Sequence, residues 1–598
     1  MPMLPHLLTA LALVQAPAEP AAAQQPYFQQ DVAYRIEARL DDEAEVLHGR
    51  ARMRYTNRSP DTLDTLYFHL HLNAFRPNSA WARRELEFGE RRFQDLGPDD
   101  HAFQRIRSVT VEGRPATPLY PGAPDSTVVA IPLAAPLAPG ESVTVDFDWD
   151  ARPSTLPRRQ GRRGRHYDFA HWFPIVAVYD RSGWAVRPHL PQGEFYGEFM
   201  DFDVTLDVAA DQVIGATGVP VEGDPGWAAA AAPGWADSID YRRDVYGTPG
   251  AAERLGLLEA TPGTGRKQVR WLARDVHNFA WSTSPDYIYE GGRWRDLAVH
   301  VLYKPGDDDW ANGQALNRTR TALAWLDSIF GPFAWPQITN VHRIEGGGTE
   351  FPMLVMNGSA SLGLILHEVG HNYVMGILAN NEWKEGFLDE GLTTFQTNWY
   401  HQTHGQPDIW DRSFQAMAAW ERAGRSQPLV THSADFRDFQ TYNQMTYTKP
   451  AVVYRMLQAY LGDERFGAGL RRYYEQNKLR HVTLADFQRA MEEASGEDLD
   501  WFFDQWFRTT ATLDYAVRSA TTERQDDGTW TTTVVVERTG EAWMPVTLEV
   551  DGVRQRLTSR DRVQTVEVVT PERPSEAVLD PETVVLDTDR ENNRRPID

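Results

Sequence analysis

The chain is predicted to be a multidomain α+β protein, on three observations. Its 598 residues exceed what one hydrophobic core organises. Apolar residues alternate with polar ones through the first part and the last, but recur at helical spacing between them. Glycine and proline clusters punctuate both strand-like regions. Together these give a secretory signal at 1–23, a large antiparallel β domain at 24–285, an α/β domain with a helical continuation at 286–512, and a small β-sandwich at 513–598.

Each element has its own signal. The apolar run 7–14, followed by Ala21, Ala22 and Ala23, has the form of an h-region and cleavage site, although no Lys or Arg precedes Arg35. In 34–40, Tyr34, Ile36, Ala38 and Leu40 alternate with polar residues. In 50–55, Ala51, Met53 and Tyr55 alternate with arginines, as half-buried strands require. The same pattern returns at 143–149 and 202–208. From Pro285 the texture changes: a strand at 297–303, a helix at 307–330 with Asp307, Asp308 and Asp309 favouring its start, and strands at 338–344 and 354–356. Helices follow to about Thr510. Thr483 is expected to cap one of them, and Trp501, Phe502, Phe503, Trp506 and Phe507 form a buried aromatic stripe. Strands at 531–536 and 546–550, with the turns Asp527-Gly528 and Asp551-Gly552, give the terminal sandwich.

Composition excludes several functions. A formal charge of -24 repels nucleic acid and anionic membrane surfaces. No stretch reaches the roughly 18 apolar residues a membrane span needs, so with the signal the expectation is an exported soluble protein. There are no cysteines, so no disulfide braces the fold and a metal must be held by nitrogen and oxygen ligands. Arg158, Arg159, Arg162, Arg163 and Arg165, interspersed with glycine and glutamine, read as a mobile solvated loop.

The chemistry lies in His367-Glu368-Val369-Gly370-His371 and in Glu390 after a gap of eighteen residues. On a helix, His367 and His371 stand one turn apart on one face, with Glu368 beside them. Leu362, Ile365, Leu366, Val369 and Tyr373 supply the opposite, apolar face. With Glu390 as third ligand, one zinc ion keeps a position open for water, as catalytic zinc does. Glu368 is then the general base, and an oxyanion donor is still needed, for which a neutral tyrosine hydroxyl is suited. His401 and His404 share a helix but lack further ligands nearby, and read as surface residues.

The pattern His367-Glu368-x-x-His371-x18-Glu390, continued as Asp389-Glu390-Gly391, resembles the gluzincin aminopeptidases of the aminopeptidase N and leukotriene hydrolase family. Gly346-Gly347-Gly348-Thr349-Glu350 is similar to that family's glycine-rich motif, and Tyr447-Thr448-Lys449 to its tyrosine motif, with Tyr442 matching a further tyrosine. The resemblance implies a thermolysin-like catalytic domain between a β-rich domain and a β-sandwich. It implies that Tyr447 stabilises the oxyanion, that Glu350 anchors the substrate's free α-amine, and that the strand carrying Gly347, Gly348 and Glu350 pairs with the peptide backbone. Thr349 and Phe351 depart from the usual Met and Asn, Phe387 stands where Trp is common, and Ala170-His171-Trp172-Phe173-Pro174 is one residue shorter than the family's corresponding run.

The resulting expectation is an exported zinc aminopeptidase acting on peptides with a free N-terminus. A zinc endopeptidase, or another amide or epoxide hydrolase, is the alternative on the same metal. A non-catalytic binding scaffold would ordinarily carry a broken ligand set, and this one is intact.

Overall fold

The computed structural model describes residues 27–235, 245–247 and 250–598, so the signal expected at 1–23 lies outside the described residues. Among the described residues, most buried apolar side chains join one continuous core that runs from the first sheet to the last.

The first half is built on an eight-stranded sheet. Its order is Val219–Glu222, Arg266–Val276, Met200–Ala209, Asp31–Asp41, Val46–Thr56, Ser142–Arg152, Phe103–Val111 and Arg114–Pro115. The alternation read in the sequence is real: Tyr34, Ile36, Ala38 and Leu40 are buried. On the outer face, Arg50 and Arg52 pair across strands with Asp148 at 2.6 Å and Asp146 at 2.7 Å. Such half-exposed pairs fix register more than they stabilise. Gly49 makes room for Trp149, whose indole lies 2.2 Å from where a Cβ would stand.

The expected antiparallel sheet is in fact mixed, because Asp31–Asp41 pairs in parallel with Met200–Ala209. These strands lie far apart in sequence, and alternation is the same for either direction. A second difference concerns 158–165, expected as a solvated loop. Arg162 lies within the strand Gly161–Arg163, and both Arg159 and Arg162 are buried. Their charges are met by partners that local composition does not reveal.

A five-stranded sheet follows, in the order Ile288–Trp294, Leu297–Tyr303, Gln337–His342, Leu354–Asn357 and Gly348–Phe351. Leu297–Tyr303 and Gln337–His342 run parallel, joined through the helix Gln314–Ile329. That helix starts seven residues later than predicted and has no acidic residue in its first turn. Asp307, Asp308 and Asp309 precede it in turns, and Gly313, with φ +76°, makes the entry. The last strand of the sheet, Gly348–Phe351, pairs with Leu354–Asn357, and among the described residues no strand pairs with its other edge.

The HExxH segment forms the helix Leu362–His371 and unwinds into a π-helical turn, Asn372–Ile377. Ile365, Leu366, Val369 and Tyr373 are fully buried. The helix Glu390–Thr403 packs across it, and Gln396 donates to the Leu366 carbonyl at 2.9 Å. Gly370 permits this approach, since a Cβ there would meet the Gln396 amide at 2.5 Å. Further helices run to Asp500–Arg508. Thr483 caps Leu484–Ser495 in a reciprocal box with Asp486, and the aromatic stripe is buried apart from a half-buried Trp501. The remaining chain forms a three-stranded sheet (Tyr515–Arg524, Trp530–Arg538, Val563–Thr570) and a four-stranded one (Val553–Leu557, Val546–Val550, Glu576–Leu579, Arg594–Pro596). The architecture is thus β-rich, then helical, then β. Among the described residues no helix is long and apolar enough to cross a membrane.

Candidate metal centre and cleft

One helical turn brings His367 and His371 together, and the start of the next long helix delivers Glu390. Glu390 Oε2 lies 3.3 Å from the Nε2 atoms of both His367 and His371. Ligands about 2.0–2.1 Å from a shared tetrahedral ion stand about 3.3 Å apart, so these separations have the dimensions of a zinc set. Glu390 Oε2 is buried without a hydrogen-bond partner, the environment of an oxygen meant for a cation. Burial would raise the Glu390 pKa, but the two imidazoles outweigh it and hold the carboxyl well below the ordinary range. The three donors therefore fit one zinc ion.

His371 is the most firmly fixed of them. Its Nδ1 hydrogen-bonds to Asp389 at 2.5 Å, which leaves Nε2 as the ring nitrogen available to a metal shared with Glu390. Sequence reading gave Asp389 no role, although its place directly before Glu390 puts it at the N-terminus of the same helix. Asp389→Ala is expected to weaken zinc binding about 10- to 100-fold, as loss of such outer partners does. Competition with a chromophoric chelator measures it, and unchanged affinity would deny Asp389 this part.

Glu368 joins His367 and His371 in a cluster whose ligand-capable atoms lie within 4.8 Å of one another. Its Oε2 is buried and unpartnered, and burial pushes its carboxyl up to about 7 against the opposing pull of the imidazoles. Gly348 on the edge strand packs directly on this side chain. Gly347, with φ +69°, turns the chain into the strand, and its carbonyl accepts from the Gly358 amide at 2.7 Å.

Tyr447 sits on a π-helical turn, Gln444–Thr448, ahead of the helix Lys449–Leu461. Its hydroxyl donates to Glu390 Oε1 at 2.5 Å. Burial and the adjacent Glu390 raise its pKa well above 10, so the hydroxyl keeps its proton. Lys449, two residues on, is buried against Glu421 at 2.9 Å and anchors the turn from behind. Tyr442 is buried in the preceding helix.

Glu350 is present in the cleft but is already partnered. Arg159 donates to its two carboxylate oxygens at 3.2 and 3.4 Å, and also pairs with Glu194. Nothing in linear order links residue 159 to residue 350, which is why both Arg159 and Glu194 escape a sequence reading. Thr349 and Phe351 are buried on either side. His401 is half-buried and His404 exposed, its ring stacked on Tyr400 at 4.0 Å, and neither belongs to the cluster of ligand-capable atoms around His367 and His371.

Two helical imidazoles, a carboxylate equidistant from both and a second buried carboxylate have the composition and spacing of a metallohydrolase centre. Residues 356–506, which hold that helix and everything up to the aromatic stripe, match the model of the "Peptidase family M1 domain". Over that stretch, about a quarter of the chain, the sequence is similar to that family. It is 27% identical over 153 residues to aminopeptidase N of Streptomyces lividans, covering 24% of this chain and 18% of that protein. It is 25% identical over 238 residues to "Aminopeptidase 2, mitochondrial" of Saccharomyces cerevisiae, covering 35% and 25%. The chain thus spans about a quarter or less of the length of these relatives. Legionella pneumophila aminopeptidase A in complex with aspartic acid shares the fold over 94% of this chain and 60% of that one, with a TM-score of 0.63 at 14% identity. The M1 zinc metallopeptidase of Deinococcus radiodurans does so over 80% and 93%, with a TM-score of 0.53 at 16% identity.

Proposed function

We propose that this chain is an exported zinc aminopeptidase that removes N-terminal residues from peptides, built as a thermolysin-like catalytic domain between a β-rich domain and a terminal β-sandwich. The observation that carries the reading is Glu390 Oε2 at 3.3 Å from both imidazoles, with Glu368 beside them. His367, His371 and Glu390 would hold one zinc ion, which when bound lowers the pKa of a water and polarises the scissile carbonyl.

The chain's own residues do the rest. Glu368, buried and with one oxygen free, takes a proton from the attacking water and returns it to the leaving amine. Tyr447 keeps its proton and donates to the oxygen on which charge develops, exchanging its present bond to Glu390 for that one. The open edge of Gly348–Phe351 offers backbone groups to an extended peptide, a strand addition that also places its end near Glu350. Requiring that end to carry a free amine is what distinguishes an exopeptidase from the endopeptidase alternative.

Matched peptides with free and acetylated N-termini test this directly. The free peptide is expected to be cleaved with at least about 100-fold higher kcat/KM, the scale of a lost charge-assisted contact in a buried site. Equal rates on both would overturn the aminopeptidase reading and leave the metal centre standing.

A further inference from the structure

In the arginine run 158–165, Arg158 differs from its neighbours. Arg159 pairs with Glu350 and Glu194, Arg162 with Glu45, and Arg165 with Asp42 and Asp211, while Arg163 is exposed. Among the described residues the one carboxylate within 4 Å of the Arg158 guanidinium is Glu345, at 3.8 Å, beyond hydrogen-bond distance. That carboxylate is itself engaged: it accepts from the Arg159 backbone N–H at 2.8 Å and faces Arg343 at 3.7 Å. Yet the Arg158 side chain is only 29% exposed. A guanidinium carries five N–H donors and keeps its charge in proteins, so one this enclosed, with no close acceptor, has the chemistry of an anion receptor.

Its place in the cleft decides which anion. The edge strand sets the order: Glu350 stands at the proposed α-amine, Gly348 packs on Glu368 beside the reacting bond, and Glu345 lies three residues further back. A peptide paired along that edge therefore passes Glu345 beyond the bond to be cut, on the leaving side. Burial, and then the neighbouring Arg159, oppose the charge on Arg158, whereas Glu345 and Tyr447 favour it, so the guanidinium faces the same cleft as the tyrosine. Trp81, on the helix Ala80–Glu87, lies behind it, with the ring centre 5.8 Å from the guanidinium carbon. The Trp81 N–H is spent on Glu85 at 2.8 Å, so the indole gives Arg158 a wall and no acceptor. Five positions separate Glu345 from Glu350, a strand advances about 3.3 Å per residue, and the turn at Gly347 shortens the path. The span from amine to guanidinium is thus that of about three to five extended residues.

We propose that Arg158 is a receptor for a substrate carboxylate on the leaving side of the cleft, about three to five residues from the anchored amine. The planar fork of the guanidinium accepts such a group in two parallel N–H···O bonds. This rests on the aminopeptidase reading and adds a preference that reading does not contain. The carboxylate has two sources: the free C-terminus of a short peptide, or an acidic side chain within a longer one. In a chain of formal charge -24, a loosely paired arginine is also the local exception that draws an anion to this end of the cleft.

Two substrate series test it on the full zinc-loaded chain. The first is alanine peptides of two to eight residues, each as free acid and as C-terminal amide. At three to five residues the acid is expected to exceed the amide at least about 10-fold in kcat/KM, through KM, the scale of a charge-assisted pair; at eight residues the two should agree within about 3-fold. The second is amidated octapeptides with Glu or Gln at the third, fourth or fifth position. A preference for Glu of about 10-fold there supports the receptor and makes a side chain the source, whereas a preference confined to the short acids makes the C-terminus the source. Arg158→Gln is expected to bring each of these ratios to within about 3-fold of one, and Arg158→Lys to keep part of them. Each readout is a ratio of two substrates on one preparation, so a general loss of activity or stability cancels, and a merely structural arginine would leave the ratios in place. Ratios near one in both series overturn the proposal in the parent itself, with no variant needed. Ratios that survive Arg158→Gln overturn it too, because another group then reads the carboxylate. If the parent cleaves acetylated peptides as fast as free ones, the aminopeptidase reading falls. If it demands the free amine and ignores every carboxylate, only the receptor falls.

Discussion

Glu368→Gln is expected to lower kcat by about 10²- to 10⁴-fold, the range in which a positioned general base acts, while zinc content and melting temperature stay at parent values. Three features separate the roles. The 3.3 Å separations involve Glu390 and not Glu368, so the amide replaces a proton acceptor without removing a proposed ligand. Glutamine keeps the shape that fits against Gly348. The replaced carboxylate has an oxygen with no partner, so no existing bond is broken. Steady-state kinetics on a free-amine anilide, with metal analysis of the same preparation, measures both halves. A variant with kcat within about 3-fold of the parent would sink the proposed chemistry. A variant that loses zinc as well would move Glu368 into the ligand set.

How much of this centre is legible in the chain follows from where its parts lie. His367, Glu368 and His371 share one helical turn, and the helix period alone aligns them. Glu390 follows after a gap of eighteen residues, yet it too is readable, because so short a span before the next long helix leaves few ways to return. Tyr447 and Glu350 come only through resemblance, since 22 tyrosines and many glutamates share their local appearance. Arg159 and Glu194 are beyond both routes. The arginine run looks solvated because its counter-charges, Glu350 at 191 residues' distance among them, are supplied by folding. The same limit applies to the fold. Alternation reports that Asp31–Asp41 is a half-buried strand but not that its neighbour is parallel. Asp307, Asp308 and Asp309 look like a helix start, yet the left-handed turn at Gly313 places that start later, at Gln314.

Gly348→Ala is expected to lower kcat by about 10²-fold or more while leaving the melting temperature almost unchanged. A Cβ built on Gly348 would stand 2.0 Å from both Cδ and Oε1 of Glu368, closer than such atoms come. The obstructing atoms are the far end of a flexible side chain, so the contact is relieved by a rotation of Glu368 and not by movement of a strand. Stability therefore suffers little. Catalysis suffers because the rotation displaces the carboxylate that accepts the proton, and a displacement of about 1 Å can cost about 10²-fold. Gly358 makes the contrast: its Cβ would meet the Glu345 carbonyl oxygen at 2.5 Å and the Gly346 Cα at 2.7 Å, backbone atoms that cannot rotate away. Crowding at Gly358 consequently falls on the fold, and crowding at Gly348 on the reaction. Thermal melts beside kinetics on Gly348→Ala separate the two. A stable variant with full kcat would mean that Glu368 works from another position than the one it holds against this glycine.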